Sequence, residues 1–397
     1  MAIAGGVRPP CRCGLGIVRL CLYNGRAMKA LLRKLVQAET TAKKGELAAA
    51  QVIAAELNRF GINAQIDCWD QNRANIVARV NSAGRKGALM FVSHLDVVGP
   101  GEGPWEHPPF AAAESDGKIH GRGAADMKGG IAAAVTAMCQ IVESGAKLQG
   151  EVIFVGTAGE ETDSCGAERF LGKRGDMPAP AGIIVTEPTD FDVVTAHRGL
   201  LWLKVTTKGK AAHGSTPHLG VNAITSMRRF LDALEENEVP FEPHELLGKC
   251  SVSVNTISGG RASNIVPDSC SVALDIRTVP TQRHEDIVRH IEGIFRELRR
   301  ADDQFAAEVS TVRDVKALLT DPQSNFVRDF CSVVGAGETQ AVGFTTDGPY
   351  FASLGAPVVI YGPGEPDLCH KPNEYIDLAD VEKACEHYRD FILKFLT

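Results

Sequence analysis

Short runs of apolar residues recur along the chain, and each has the length of a buried strand. The runs read "ALMFVSH", "EVIFVGTA", "AGIIVTE" and "APVVIYG", and they are continuously apolar rather than alternating. Stretches of helical character separate them, at 28–36, 46–60, 129–143 and 378–396. Strands that alternate with helices predict an α/β fold with a mostly parallel sheet and flanking helices.

The middle of the chain follows a different pattern. "LLWLKVTTKG", "CSVSVNTISGG" and "CSVALDIRTVP" alternate between apolar and polar residues, and "FAAEVSTV" closes the set. Helices are predicted near 222–236 and 284–300, which gives the order β-α-β-β-α-β. We therefore expect a smaller domain at 198–312, inserted into a larger α/β domain made of 28–197 and 313–397.

Composition restricts the possible partners and the compartment. The 397 residues carry a net charge of −7, which argues against a nucleic acid or an anionic membrane as partner. Apolar runs such as "GGIAAAVTAMCQIV" are shorter than the roughly 20 residues of a membrane helix. The 11 cysteines include no CxxC pair, which is typical of reduced thiols. These features predict a soluble cytoplasmic protein.

The N-terminal segment carries no recognisable motif. Residues 1–27 contain Arg8, Arg12, Arg19 and Arg26 and no acidic residue. Arg19 interrupts the only apolar core, so a secretory signal is poorly supported, whereas an organelle presequence stays open. We expect residues 1–27 to be disordered, or synthesis to begin at Met28, where an amphipathic helix starts.

Histidines and carboxylates follow several of the predicted strands. His94 and Asp96 come after the first quoted run, Glu160 and Glu161 after the second, and Glu187 after the third, with His370 beyond the fourth. Ligands of open α/β sheets gather at the carboxyl ends of the strands. Each residue alone has an ordinary explanation, such as a hydrogen-bonded histidine, a solvated helix-terminal acid or a turn residue. Together, so many carboxylates would repel one another strongly without a cation.

The composition of this set indicates metal binding. Histidine and carboxylate ligands without cysteine suit Zn²⁺, and also Co²⁺ or Mn²⁺. The residues are too many for one open tetrahedral ion, so two neighbouring ions with a bridging carboxylate fit better. Asp126 stands in the glycine-flanked turn "GRGAADMKGG", which allows close approach of the backbone. It is therefore the candidate bridge.

These motifs resemble a known family. The chain is similar to the acetylornithine deacetylase, succinyl-diaminopimelate desuccinylase, aminoacylase and glutamate carboxypeptidase superfamily of zinc amidohydrolases. The resemblance covers 29–397 and rests on "SHLDVV", "GRGAADMKGG", "AGEETDSCGA", "VTEPT", "KGKAAHGSTPHLGVNAI", "SNIVPD", "DIRTVP" and "HKPNEYI".

The resemblance implies a role for each residue of the cluster. His94 and Glu187 would hold one zinc ion, Glu161 and His370 the other, and Asp126 would bridge them. Asp96 would fix the tautomer of His94. Glu160 would be the general base, taking a proton from the attacking water and passing it to the departing amine. The Asp126–Met127 peptide bond is often cis in this family.

The resemblance also assigns the inserted domain. It would be a lid and dimerisation domain, in which His213 reaches the active site of the partner subunit and hydrogen-bonds the developing oxyanion. Asn264 and Arg277 match substrate-contacting positions, with Arg277 suited to a bidentate grip on an α-carboxylate. A surface-turn role for His213 and a lid ion pair for Arg277 are the structural alternatives.

The expected substrate is an N-acyl amino acid. Glu187 favours the deacylase and carboxypeptidase branch over the aminopeptidases, and acetylornithine deacetylase is the best match. Succinyl-diaminopimelate desuccinylase is the first alternative, followed by a dipeptidase, a carboxypeptidase or an N-carbamoyl-amino-acid hydrolase. A succinyl group needs a further cation or hydrogen-bond set, for which Arg198, Thr345 and Thr346 are candidates. A non-catalytic binding protein on the same fold is the alternative from another class.

Overall fold

A computed structural model describes residues 25–397. The expectations for residues 1–24 lie outside this part of the chain. Residues 25–27 belong to the first helix, so the boundary predicted at Met28 falls inside a helical element rather than at its start. The helix buries Met28, Leu31 and Leu35, which explains why its apolar spacing was readable from the sequence.

The elements alternate along most of the chain. The helices are α1 (Gly25–Gln37), α2 (Leu47–Asn58), α3 (Gly129–Ser144), α4 (Cys165–Lys173), α5 (Ala223–Glu236), α6 (His284–Ala301), α7 (Asn325–Val334), α8 (Gly348–Ala352) and α9 (Leu378–Leu396). The strands are β1 (Asn63–Trp69), β2 (Arg73–Val80), β3 (Ala88–His94), β4 (Ala113–Ser115), β5 (Lys118–His120), β6 (Val152–Thr157), β7 (Pro180–Val185), β8 (Val194–His197), β9 (Gly199–Lys208), β10 (Ser251–Gly259), β11 (Ser269–Thr278), β12 (Ala306–Val315), β13 (Leu318–Leu319), β14 (Gln340–Val342), β15 (Val358–Ile360) and β16 (Tyr375–Asp377).

The large sheet confirms the predicted α/β class. Its strand order is β1-β2-β6-β3-β7-β15-β8-β13, with β14 also paired to β8. The central strands β6, β3, β7 and β15 are mutually parallel. The flanking strands β1, β2, β8 and β13 pair antiparallel, so the sheet is mixed rather than parallel throughout.

Helices cover both faces of this sheet. Every residue of β3 is buried, with Leu89 and Phe91 on one face and Met90 and Val92 on the other. The first face packs against α1, α2, α3, α7 and α9, and the second against α4 and α8. Burial on both faces is the reason that this strand reads as one continuous apolar run.

The inserted segment forms the predicted β-α-β-β-α-β arrangement. Strands β10, β11, β9 and β12 make an antiparallel sheet in that order, and α5 and α6 pack on one of its faces. Its apolar cluster shares no residue with the two clusters that cover the faces of the large sheet. Strand β12 runs to Val315, slightly beyond the predicted end at 312. We refer to residues 199–315 as the lid.

None of the helices formed by residues 25–397 combines the length and apolar character of a membrane span.

The contact between α3 and the end of β7 generates a stability prediction. A Cβ atom at Gly130 would lie 2.0 Å from the carbonyl oxygen of Thr186, so Gly130→Ala should lower the free energy of unfolding by about 1–3 kcal/mol through overpacking. Gly293→Ala is the matched helical control, since its nearest contact is a flexible arginine tip at 3.6 Å. The control should be neutral or stabilising by about 0.5–1 kcal/mol. Urea unfolding measures both, and equal effects would contradict the packing argument.

Candidate metal centre

The side chains predicted to bind metal meet at one edge of the large sheet. His94 is the last residue of β3, and Glu161 and Glu187 follow the ends of the parallel strands β6 and β7. Asp126 enters from the turn before α3, and His370 from the loop after β15. The structure therefore brings all five predicted ligands together at the carboxyl ends of the parallel strands, where the topology predicts a site.

Asp126 lies at the centre of this cluster, since each of its carboxylate oxygens contacts a different histidine. Oδ1 lies 2.9 Å from Nε2 of His94, and Oδ2 lies 3.2 Å from Nε2 of His370. Nε2 of His94 is also 3.6 Å from Oε2 of Glu187, and Nε2 of His370 is 3.0 Å from Oε2 of Glu161. The five side chains thus form two groups that share Asp126, in the same pairing that the family resemblance implies.

The donor set suits two divalent cations. Ligand atoms of His94, Asp126 and Glu161 lie within 4.8 Å of one another, although His94 and Glu161 belong to different groups. The two groups are therefore adjacent. Imidazole nitrogens and carboxylate oxygens are the ligands that Zn²⁺, Co²⁺ and Mn²⁺ accept, and one carboxylate between two such ions is a common arrangement in hydrolytic sites.

The electrostatics of the cluster also fit cations. Burial raises the pKa of Glu187 to about 7 and raises that of Glu160 well above its usual range. Hydrogen bonds to Asp126 and Glu161 raise the pKa of His370 to about 10. Repulsion from the neighbouring carboxylates adds to the raised pKa values of Glu160 and Glu187, so these acids hold protons more tightly than isolated carboxyl groups do. Divalent cations would replace those protons and stabilise the ionised carboxylates.

The turn that presents Asp126 is held by a residue that sequence reasoning missed. The carboxylate of Glu374 accepts the backbone N–H groups of Gly123, Ala125 and Asp126 at 2.9–3.1 Å, and it pairs with the buried guanidinium of Arg122. Both side chains are almost fully buried. The Asp126–Met127 peptide bond, whose isomer the sequence left open, is cis. Glu374 thus fixes the backbone that carries the shared carboxylate.

Asp96 holds the site in a different way from the one expected. Nδ1 of His94 lies 3.0 Å from the main-chain oxygen of Asp96 but 3.8 Å from its carboxylate, so the carbonyl rather than the side chain orients the imidazole. The Asp96 carboxylate instead accepts the N–H groups of Gly159, Glu160 and Glu161, at 2.8, 3.1 and 3.0 Å. It therefore positions the loop that carries the predicted base and one predicted ligand.

A cavity of about 530 Å³ opens above the cluster. Four of the five predicted ligands line it together with Glu160, namely Asp126, Glu161, Glu187 and His370, and the lid contributes Leu200, Trp202, Arg277 and Arg313. A second cleft, of about 580 Å³, lies between β1, β2 and α4, but its lining contains none of the predicted site residues. The cavity above the cluster has the volume expected for a small-molecule site, and its lining includes side chains of both charges.

The remaining predicted residues divide between the cavity and the surface. Arg277 lines the cavity, with its guanidinium paired to both carboxylate oxygens of Asp275 at 2.8 and 3.1 Å. His213 and Asn264 are exposed, and neither is among the described residues that line the cavity. They lie next to each other, since the N–H of Gly214 donates to the carbonyl of Asn264. One chain alone does not bring them to the site.

Sequence reasoning missed two positions that contact the site loops. Glu374 stands within the quoted motif "HKPNEYI", four residues after His370, so its place in a motif was the available signal. Arg313 lines the cavity from β12, and no spacing in the sequence indicated this.

The fold and the cluster together define a metal-dependent hydrolase with a dinuclear type of site. The chain belongs to the peptidase family M20/M25/M40, whose match extends over residues 90–394. It is accordingly an enzyme of the metal-dependent amidohydrolase and peptidase class.

Curated relatives are similar over nearly their whole length. A protein of Staphylococcus aureus (strain N315) named "Probable succinyl-diaminopimelate desuccinylase" is 28% identical over 410 residues, covering 92% of this chain and 97% of that protein. A Myxococcus xanthus protein named "Acetylornithine deacetylase" is 30% identical over 374 residues, covering 91% and 95%. Their names divide between the two activities that the motifs suggest.

Solved structures share the fold. The metallo-carboxypeptidase Sso-CP2 of Sulfolobus solfataricus superposes with a TM-score of 0.77 at 18% identity, covering 92% of this chain and 98% of that one. The YXEP protein of Bacillus subtilis, described as a dinuclear metal-binding peptidase of the M20 family, gives 0.68 at 17% identity, covering 94% and 98%. At these identities the likeness concerns the fold alone.

The hydrogen bonds of Glu374 generate a prediction about metal affinity. Glu374→Gln replaces an accepting oxygen with a donor and leaves Arg122 without a counter-charge, so the turn at Asp126 should loosen. We expect metal affinity to fall by about 10–100-fold, which is the usual effect of replacing a residue whose hydrogen bonds orient a metal ligand. Competition with a chelating dye measures the affinity of the folded protein.

Glu365→Gln is the control, because Glu365 lies in the same C-terminal segment but is exposed. The control should bind metal as the unaltered protein does. Unchanged affinity in a folded Glu374→Gln variant would contradict the positioning role.

Proposed function

We propose that the protein hydrolyses the amide bond of an N-acyl-L-amino acid, and that it is an acetylornithine deacetylase using two Zn²⁺ ions, which Co²⁺ or Mn²⁺ can replace. The observation that carries this proposal is the pair of His-carboxylate groups sharing Asp126, with Glu160 beside them and Arg277 across the same cavity. A hydrolase of this type needs a cation pair, a base and a substrate anchor, and these residues supply all three.

The proposed division of ligands follows the contacts. On this proposal His94 and Glu187 would hold one ion, Glu161 and His370 would hold the other, and Asp126 would be shared between them. When bound, such ions supply Lewis-acid activation of water and of the amide carbonyl.

The chain's own residues move the proton and orient the substrate. Glu160 is largely buried, and burial raises its pKa well above the usual range of a carboxyl group, which suits a group that must accept a proton during the reaction. It takes a proton from the attacking water and delivers it to the nitrogen of the departing amine as the amide bond breaks. Arg277 binds the α-carboxylate, because its guanidinium faces the cavity and is held in orientation by Asp275.

Three residues that were candidates for binding a succinyl carboxylate make contacts within the protein. Arg198 donates to the carbonyl of Leu247 at 2.8 Å, and Thr346 is buried between His197 and the N–H of Gly348. Thr345 lines the cavity, but its hydroxyl donates to the carbonyl of Arg198. These contacts are internal to the protein, so none of the three residues by itself indicates a site for a second carboxylate.

Succinyl-diaminopimelate desuccinylase is the second candidate, because the relatives with that name cover nearly the whole chain. Turnover of N-acetylornithine and N-succinyl-diaminopimelate by the zinc-loaded protein, measured side by side, separates the two. A kcat/KM at least tenfold higher for the succinyl compound would replace the first candidate with the second.

We further propose a homodimer formed through the lid. All nine residues of the edge strand β10 are exposed, and Val252, Val254 and Ile257 are 38, 45 and 60% exposed. An edge strand that exposes apolar side chains and unpaired backbone groups is suited to pairing with a second copy. In such a dimer, His213 would enter the cavity of the partner subunit and hydrogen-bond the developing oxyanion, while Asn264 beside it would contact the substrate.

The neighbouring acids Glu160 and Glu161 should have separable effects. Glu160→Gln cannot accept a proton, so kcat should fall by about 10²–10⁴ while two ions stay bound. Glu161→Gln removes a proposed ligand, so metal content should fall first. Elemental analysis and steady-state kinetics distinguish the two variants, and exchanged phenotypes would show that the roles are reversed.

The action of His213 across the dimer can be tested by complementation. His213→Ala and Glu160→Gln should each be nearly inactive, with losses of about 10²–10³ for the former. A mixed dimer has one site with both defects and one site with neither, so subunit exchange should restore about one working site. Exchange is followed by native mass spectrometry. Background activity after confirmed exchange would mean that His213 does not act in trans.

A further inference from the structure

Arg313 reaches from the lid into the catalytic site. It belongs to β12, and its side chain is only 10% exposed. Its guanidinium carbon lies 5.6 Å from the centre of the Trp202 ring, and both residues line the cavity above the metal cluster. A buried arginine in such a place needs acceptors, and the acceptors identify what it does.

A bulge in β12 aims this side chain at the site. Thr311 pairs with Leu203, but Arg313 pairs with Trp202, so Val312 is an extra residue in the strand. Leu203 faces the buried core beneath α5 and α6, whereas Trp202 faces the cavity. In an unbroken register Arg313 would stand opposite Leu201, which also faces that core. The bulge therefore transfers Arg313 to the face of the lid sheet that covers the site.

The hydrogen-bond acceptors of Arg313 found among residues 25–397 lie on the loop that carries the proposed base. Nη2 donates to the main-chain oxygen of Glu160 and lies 3.4 Å from the hydroxyl of Ser164. The same nitrogen is 3.8 Å from Oε1 of Glu160. Residues 159–164 belong to the catalytic domain, so these contacts cross the boundary between the two domains.

The opposite side of the same loop is held by Asp96. Its carboxylate accepts the N–H groups of residues 159–161, while Arg313 donates to the carbonyl oxygen between them. The catalytic domain thus holds the loop through the loop's N–H groups, and the lid holds it through the carbonyl oxygen of Glu160. Removing either contact leaves the Glu160 carboxylate attached to a less restrained backbone.

We propose that Arg313 is a positioning residue, which makes the placement of the Glu160 base depend on the docking of the lid. The inference rests on the proposed function of Glu160. A charged donor with a main-chain acceptor and a neighbouring carboxylate restrains both the backbone and the side chain of that residue. Arg313 therefore acts through Glu160, not by contact with the reacting atoms.

The competing role for the same guanidinium is binding of a substrate carboxylate. Within residues 25–397, Nε of Arg313 is buried without a hydrogen-bond partner, so one edge of the group is unused. The contacts that the structure contains favour positioning, because Nη2 is already committed to the Glu160 loop. The two roles differ in kinetics: positioning affects kcat, and substrate binding affects KM.

Arg313→Met tests the proposal against a matched control. Arg229 is also a lid arginine that lies beside an aromatic ring and contacts an acid, with Phe305 at 5.9 Å and Asp302 at 2.6 Å, but it does not line the cavity. For Arg313→Met we expect kcat to fall by about 10–100-fold, KM to change by less than about threefold, and metal content to stay constant. Arg229→Met should keep kcat, and Arg313→Lys should recover part of it.

A tenfold rise in KM with kcat retained would assign Arg313 to substrate binding and overturn the proposal. An equal loss of kcat in Arg229→Met would also overturn it, because the effect would then be a general one on the lid.

Amide hydrogen exchange of the zinc-loaded full chain tests the same proposal without turnover. Peptides covering 159–164 should exchange at least fivefold faster in Arg313→Met and at the unaltered rate in Arg229→Met. Unchanged exchange in Arg313→Met would contradict the proposal even if kcat fell. If the unaltered protein hydrolysed no N-acyl amino acid, the proposed function would fail, while the exchange rates would still decide whether Arg313 holds the loop.

Discussion

The site depends on one carboxylate that serves two histidines. Asp126 faces His94 with one oxygen and His370 with the other, and the remaining acids pair around this contact. Such an arrangement requires a backbone that holds a charged side chain rigidly at the edge of a buried sheet. The helix α3 is buried along nearly its whole length behind the turn, and Glu374 accepts three of the turn's N–H groups in front of it. The packing of the large domain thus fixes the geometry of the metal site.

The loop after β6 faces the same requirement, since it carries a proposed base and a proposed ligand side by side. Glu160 and Glu161 can have different roles only if their backbone is held, because a small rotation would exchange their positions. Asp96 provides part of this restraint through three backbone hydrogen bonds. Arg313 contributes from the other domain, which connects the lid to the chemistry. The backbone of Glu160 and Glu161 is therefore restrained by the charged side chains of Asp96 and Arg313. These hydrogen bonds are buried, and burial strengthens them.

Much of the fold was predictable because the spacing of apolar residues along the chain reflects which face of each helix or strand is buried. The observed bounds of β3 and α9 match the predicted ones, and the β-α-β-β-α-β order of the lid is confirmed. The five predicted ligands meet because the ends of parallel strands must lie at one edge. The antiparallel flanks were not predicted: β13 has only two residues and leaves little pattern, while β1 and β2 have seven and eight residues, but strand direction is not written in their apolar pattern. The role of the Asp96 carboxylate and the direction of Arg313 depend on loop hydrogen bonds and on a bulge, which no spacing records. His213 and Asn264 stay predictions, because their proposed site needs a second chain.

The bridging role of Asp126 is tested by the position of metal in a zinc-loaded crystal, located by anomalous scattering at the zinc edge. Two peaks about 3.5–4 Å apart are expected. One should lie beside His94 and Glu187 and the other beside Glu161 and His370, with one oxygen of Asp126 bound to each. A single peak, or two peaks that do not share Asp126, would contradict the central claim that this carboxylate bridges a metal pair.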